Sequence, residues 1–442
     1  ALNQFACVVD SSIGAIATGL DTEATGVPLV VYNPLSITRE DVVEARIAWP
    51  GVLPTAVRVL NPSGVEVPSQ IVSAADGELR ILFLATVPSV GLAVYDVQAA
   101  ATAATSTLSV TTSSLENARY IITLDGNGDV ANIYDKTAGR ELLTAPARLA
   151  FSHDFPAAWP AWNIDWEDAQ QPPQAYVSGP ATVQIIENGA ARVALQVTRD
   201  SQGSHFVQTI RLAAGGAANR VEFANTIDWM SSICNLKAVF PLTVANPNAT
   251  YNWEVGTLQR GNNNASKYEV PAHQWFDLTA TNGTYGVTVL SDCKYGSDKP
   301  DDHTLRLTLV RTPGAAGGYE DQATQDWGRH EILYGLAGHV GDWRASQTDW
   351  QALRLSQPLI AFQTTAHSGA LGRWLSLLTV DHSRVRVMAV KRAEDSNEVI
   401  VRLVELSGQP ATNVHVSLPT AIAAAREVDG QGAGRALPAS AN

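Results

Sequence analysis

Ala181-Thr-Val-Gln-Ile-Ile186, Ala191-Arg-Val-Ala-Leu-Gln-Val197, His205-Phe-Val-Gln-Thr-Ile-Arg-Leu212 and Arg220-Val-Glu-Phe-Ala-Asn225 follow one another with only short polar gaps. Apolar residues recur at about every second position, and β-branched and aromatic side chains dominate, which is the pattern of strands with one buried face. Working upstream, Asn117-Ala-Arg-Tyr-Ile-Ile-Thr-Leu124 and Val130-Ala-Asn-Ile-Tyr134 flank Asp125-Gly-Asn-Gly128, a hairpin-type turn. Downstream, Gly286-Val-Thr-Val-Leu290, Leu305-Arg-Leu-Thr-Leu309 and His330-Glu-Ile-Leu-Tyr334 continue the series. Strand after strand with no credible helical interruption predicts a large antiparallel double sheet over residues 113–358. Only Gln347 to Leu355 reads as a short helix or connector.

The flanks are smaller. Val27-Pro-Leu-Val-Val-Tyr-Asn33, Val42 to Ala48, Val57 to Leu60, Glu78 to Leu84 and Leu92 to Val97 predict a small sandwich over 26–100, followed by an Ala/Thr/Ser-rich stretch with linker character. Val385 to Val390 and Glu398 to Leu403 predict a second small sandwich over 359–442, whose Ala/Gly-rich last residues should fray. Residues 1–25 read as the end of a helical segment with Leu2, Phe5, Val8 and Val9 on one face, as if the chain began inside a longer protein. The fold class is therefore all-β, a large double-sheet domain flanked by small sandwiches with a short N-terminal helical remnant.

Composition limits the partners. The chain has 442 residues and a net charge of −13, from 43 acids against 30 Lys and Arg, which speaks against nucleic acid and anionic membranes. No apolar run reaches the length of a bilayer span. Three cysteines, Cys7, Cys234 and Cys293, are few and odd in number, so a reducing, cytoplasmic location is the simplest expectation. There is no Gly-rich phosphate loop, G-x-S-x-G elbow or H-E-x-x-H, and the nine histidines lack metal-ligand spacing. No catalytic residue and no metal ligand is assigned within the chain, and a homo-oligomer is left open.

One loop concentrates side chains that bind hydroxylated ligands. Leu149-Ala-Phe-Ser-His-Asp-Phe-Pro-Ala-Ala-Trp-Pro-Ala-Trp-Asn-Ile-Asp-Trp-Glu-Asp168 carries three tryptophans, whose flat faces stack on the C–H faces of sugar rings, among four carboxylates. Pro156 and Pro160 exclude helix and ladder, so the segment should be an ordered loop. Asp154, Trp159, Trp162 and Asp165 are the leading substrate-binding candidates. Asp292, in Ser291-Asp-Cys-Lys-Tyr-Gly296, and Arg311, in Arg311-Thr-Pro-Gly314, come second, because each follows a strand directly. The plainer alternative is that the tryptophans plug a sandwich edge while the acids face water.

Several segments also resemble a known family in one order: Val30-Val-Tyr-Asn-Pro-Leu-Ser36, Ile133-Tyr-Asp-Lys-Thr-Ala-Gly-Arg-Glu141, Ala161-Trp-Asn-Ile-Asp165, Val270-Pro-Ala-His-Gln-Trp-Phe-Asp277, Ser291 to Gly296 and Val390-Lys-Arg-Ala-Glu-Asp395. Together they resemble the C-terminal half of family 38 glycoside hydrolases, the class II α-mannosidases, particularly the cytosolic and vacuolar branch with its bacterial relatives. Asn163 stands where the family often has Asp, and Ser291 where Asn is usual. The resemblance implies a galactose-mutarotase-like supersandwich, a mannose-containing oligosaccharide as ligand, and a retaining hydrolysis by two close carboxyl groups. It also implies that the nucleophile and a divalent metal, zinc in most members, sit in an N-terminal catalytic domain outside this sequence. The alternative is a free-standing carbohydrate-binding or structural β-protein without catalysis, and what precedes Ala1 in the gene discriminates the two.

Overall fold

A computed structural model describes residues 2–323, 325–429 and 434–437. Strands and turns account for nearly all of it, as the period-two pattern predicts. The expectation that the last residues fray falls partly on 430–433 and 438–442, which lie outside the described residues.

The first unit is a sandwich of two sheets. One has the strand order Ile360–Gln363, Val27–Asn33, Gly91–Ala99, Val57–Leu60, Glu66–Val67, with Trp374–Ser376 also paired to Gly91–Ala99. The other is Arg39–Ala48, Glu78–Val87, Ser69–Ala75. Alternate residues such as Val43, Ala45 and Ile47 point inward onto Leu29, Val31, Ile81, Phe83 and Tyr95. Here the sequence-based boundary needs correcting. Residues 360–376, expected in the C-terminal sandwich, return to the first sheet, where Val30 pairs with Phe362 and Leu92 with Leu375. Their short strands sit among Thr, Ser and Gly residues and carry no pattern that distinguishes the two destinations.

The N-terminal helix, Leu2–Ala17, packs by its last turns only. Ile13, Ala17 and Leu20 lie on Val30, Leu92 and Val94, whereas Phe5, Val8 and Val9 on the earlier turns are exposed. Beyond the sandwich, Gln70 crosses to the large domain like an extra peptide unit. Its amide accepts from the backbone N–H groups of Ala191 (2.9 Å) and Arg192 (3.0 Å) and donates to the Arg192 carbonyl (3.0 Å). The Arg220–Asp41 ion pair (3.0 Å) joins the same two units.

The large domain is built on a nine-stranded sheet, ordered Thr182–Asn188, Arg192–Ser201, Ser204–Ala213, Val221–Trp229, Gly328–Val340, Tyr285–Ser291, Trp275–Thr279, Asn248–Trp253, Gly256–Gly261. Against it lie a six-stranded sheet (Ala175–Tyr176, Arg148–His153, Cys234–Pro241, Thr304–Thr312, Gly296–Asp298, Val270–Pro271) and a five-stranded one covering Ser109 to Glu141. The three share one core in which Phe151, Phe206, Phe223, Trp229, Phe240 and Tyr334 are buried. The fold is all-β, as the sequence indicates. Among the described residues, the C-terminal segment forms three two-stranded pairs, the longest being Val385–Arg392 with Val399–Glu405.

The helix Thr348–Ser356 covers the far face of the nine-stranded sheet, where Ala352 and Leu355 meet Trp275, Leu290 and Trp343. Its Asp349 accepts a hydrogen bond from the Trp275 indole (3.0 Å). Burial pushes this carboxyl up to about 6. Because the folded-state pKa is raised, the neutral form carries the stability, which is complete below about pH 4 and lost as pH rises through about 6. Asp349→Asn keeps the acceptor and removes the buried charge. It should stabilise the fold by about 1–2 kcal/mol above pH 7 and have no stabilising effect below about pH 4, read as melting temperature against pH.

Candidate active-site rim

Register places the end of the six-stranded sheet. His153 pairs with Cys234, and Cys234 with Thr312, so three strands stop at one level. In the nine-stranded sheet Trp229 pairs with Gly328 at its own end. The two ends meet directly, because the Trp229 indole donates to the Thr312 hydroxyl (2.9 Å) while its ring stacks on Phe151 (5.9 Å between centroids). The tryptophan-rich loop leaves this rim at His153 and returns at Ala175.

Asp154 anchors the loop. It is fully buried, and its two oxygens accept from Arg311 Nε (2.8 Å) and Nη2 (3.0 Å), a bidentate pair. Arg311 Nη2 also donates to the Asn163 carbonyl (2.6 Å), tying the far limb of the loop to the same guanidinium. This corrects the expectation that Asp154 faces a sugar: both oxygens are engaged and none reaches the surface. Arg311 likewise positions the loop from beneath. The Asp154 carbonyl accepts from Gly314 N (2.8 Å), and a Cβ at Gly314 would stand 2.0 Å from the Phe155 ring, which would have to turn aside to admit it.

A second layer of bonds shapes the loop crest. Asp168 accepts from the Phe155 N–H and contacts His153 Nδ1 (2.8 Å). Asp165 accepts from Ala157 N (2.7 Å) and from the Asn163 side-chain amide, so it holds the crest together at a half-buried position. Trp159 adopts φ +57°, a left-handed conformation that is costly for a bulky residue, and its carbonyl accepts from both Trp162 N (2.8 Å) and Asn163 N (2.9 Å). The outcome is that Trp159 is 60% and Trp162 86% exposed. Trp159 meets Tyr319 edge-on (5.1 Å), and Ala161 N donates to Gln322 (2.9 Å), so residues 319–322 lean on the crest. Among the described residues, Trp162 has no aromatic partner.

Neighbouring loops complete the rim. Tyr268 donates to the Ile164 carbonyl (2.7 Å) and packs against Trp166 (5.4 Å). Burial, then Asp165 and Glu167, raises the Tyr268 phenol, so it remains a donor. Adjacent Glu269 is held by Thr308 (2.6 Å) and by Lys237, which also meets Asp298 (3.2 Å). Burial alone would lower the Lys237 ammonium, but these carboxylates outweigh it and hold it above the usual range. Burial pushes the Cys234 thiol, beneath the loop, up to about 12, so it is an inert packing group.

Asp292 sits elsewhere on the edge. It follows the strand Tyr285–Ser291, whose last residue pairs with Tyr334, six positions in from Gly328. At about 3.3 Å per residue that is a step of roughly 20 Å along the strand from the level of Gly328. Asp292 N donates to the Leu333 carbonyl (3.2 Å), and partial desolvation raises its carboxyl. The Ser291 hydroxyl closes the turn by accepting from Lys294 N (2.9 Å) and donating to the Lys294 carbonyl (2.8 Å). The structure therefore brings Asp154, Trp159, Trp162, Asp165 and Arg311 together and sets Asp292 apart. Sequence reasoning missed Tyr268, Tyr319 and Gln322, which reach the loop from segments that carry no local motif.

Two family models match this chain. Residues 115–319 match the "Glycosyl hydrolases family 38 C-terminal domain" and residues 384–432 the "Glycosyl hydrolases family 38 C-terminal beta sandwich domain", together more than half of the sequence. The chain belongs to glycosyl hydrolase family 38. Among curated relatives, alpha-mannosidase 2C1 of Mus musculus is 30% identical over 319 residues, covering 69% of this chain and 30% of that protein. Alpha-mannosidase G of Dictyostelium discoideum is 26% identical over 318 residues (67% and 28%), and the alpha-mannosidase of Saccharomyces cerevisiae is 27% identical over 240 (50% and 21%). These relatives bear out the branch indicated by the sequence motifs, and this chain spans less than a third of their length. The fold is shared with an alpha-mannosidase from Enterococcus faecalis V583, at a TM-score of 0.75 and 17% identity over 92% of this chain and 54% of that one.

Proposed function

We propose that this family 38 chain is the β-rich part of a retaining α-mannosidase that removes terminal α-mannosyl residues from glycans or oligosaccharides. In this reading its rim loop lines the sugar site, while an N-terminal catalytic domain contributes the two carboxylates. The observation that carries the reading is Trp162, an almost fully exposed indole on a loop immobilised by the buried Asp154–Arg311 pair. A large apolar face left in water gains nothing within this chain, whereas the C–H face of a pyranose matches it in shape and polarity. The loop would stack, orient and partly dehydrate the sugar, with Trp159 and the remaining acceptors of Asp165 as side walls. A divalent ion, zinc in this family, would belong to the catalytic domain. Among the described residues no group of three or more His, Cys, Asp or Glu is arranged to hold a metal.

A cytoplasmic location is part of the same proposal. It is supported by the free thiols Cys7, Cys234 and Cys293, of which the first and last are exposed. Among the described residues no helix is long and apolar enough to cross a membrane.

The test compares this chain with the complete polypeptide on an aryl α-mannoside, each with added Zn²⁺ or Co²⁺. The complete polypeptide should turn the substrate over, and the chain alone should not exceed a boiled control. Turnover by the chain that survives removal of contaminating enzymes would overturn the division of labour. A complete polypeptide inert towards α-mannosides would overturn the activity.

A further inference from the structure

The lower step of the rim carries an aromatic group of its own. The hairpin Asn248–Trp253 to Gly256–Gly261 turns at the same end of the nine-stranded sheet, since Thr250 pairs with Asp277 and Trp275 with Leu290. Trp253 lies against His273 with centroids 4.5 Å apart at 33°, and Tyr295 meets His273 edge-on at 5.9 Å. Backbone N–H donors fix the three segments: His273 N to Asn252 O (3.1 Å), Gln274 N to the Asn252 side-chain Oδ1 (3.2 Å), and Ala272 N to Tyr295 O (2.8 Å). The rings are nonetheless not spent on the core. Trp253 is 40% and Tyr295 57% exposed, and Glu254, 3.6 Å from His273 Nδ1, is open to solvent.

That combination has a definite chemistry. The indole offers a flat apolar face, and Glu254, the Tyr295 hydroxyl and the free edge of His273 offer acceptors and donors around it. The exposed Glu254 carboxylate beside His273 opposes an anionic ligand. A neutral ring with an apolar C–H face and peripheral hydroxyls satisfies both parts. We propose that Trp253, His273 and Tyr295 form a second sugar platform, which holds a pyranose of an extended oligosaccharide at a distance from the residue stacked on Trp162. The inference rests on the glycan-processing reading and extends it: the chain would favour long oligosaccharides over single sugars because two steps of one rim engage them.

The probe is a linear α-linked mannotetraose, titrated against the 442-residue chain by saturation-transfer NMR and compared with free mannose. Trp253→Ala and Tyr295→Ala should each weaken the tetraose about tenfold, the scale of one lost aromatic contact, with unchanged binding of any mannose held at Trp162. Trp162→Ala should weaken both ligands. Melting curves accompany every variant, and Tyr295→Ala, on an exposed loop, decides the matter if Trp253→Ala is destabilised. Tetraose affinity unchanged in both rim variants but lost in Trp162→Ala overturns the platform and leaves the proposed function standing. Absence of tetraose binding to the unaltered chain overturns the platform and removes the present support for a glycan-facing rim.

Discussion

Arg311→Ala should lower the stability of this chain by about 3–5 kcal/mol, because it leaves a buried carboxylate without its counter-charge. Asp154 is fully inaccessible, and Arg311 is its bidentate partner. The same change removes the bond to the Asn163 carbonyl, so both limbs of the rim loop lose their tether. Hydrogen exchange across residues 153–168 should then accelerate well beyond the rest of the six-stranded sheet. Pairing the change with Asp154→Asn should recover part of the loss, since the neutral amide is far cheaper to bury than a lone charge. Urea unfolding of the two single variants and the double variant measures the coupling. A loss below about 1 kcal/mol with unchanged exchange would mean that the pair does not position the loop.

The alternating runs from Ala181 to Asn225 made the large domain legible, because an antiparallel strand with one buried face prints its geometry directly into the polarity of successive residues. The rim loop was legible for a similar reason: Pro156 and Pro160 fix its class, and its tryptophans are too dense for a solvated turn. Roles within the loop were not. Asp154 and Asp165 look alike in sequence, yet one is an internal anchor and the other a crest clamp, and only the arrival of Arg311 from a strand 157 residues away separates them. Pairings between distant segments leave no local period, which is also why Ile360–Gln363 was placed with the wrong sandwich and why Tyr268 went unnoticed. The motif around Asp292 likewise carries no sign of the step along the sheet edge that separates it from the strand end at Gly328.

Trp162 is the cleanest probe of whether the crest touches sugar. Asp165 also clamps the loop, so its loss would mix binding with shape, whereas Trp162 is 86% exposed and removing its ring leaves every hydrogen bond of the crest in place. Trp162→Ala in the complete polypeptide should reduce kcat/KM on an α-mannoside by about 1–3 kcal/mol, roughly five- to 150-fold, through loss of a stacking face that orients the sugar. Melting temperature should stay within about a degree, because an exposed side chain contributes little to stability. Measured on one preparation, a large fall in kcat/KM with an unchanged melting temperature is the predicted result. Unaltered kcat/KM, with or without a shift in melting, would contradict the claim that this loop faces the substrate.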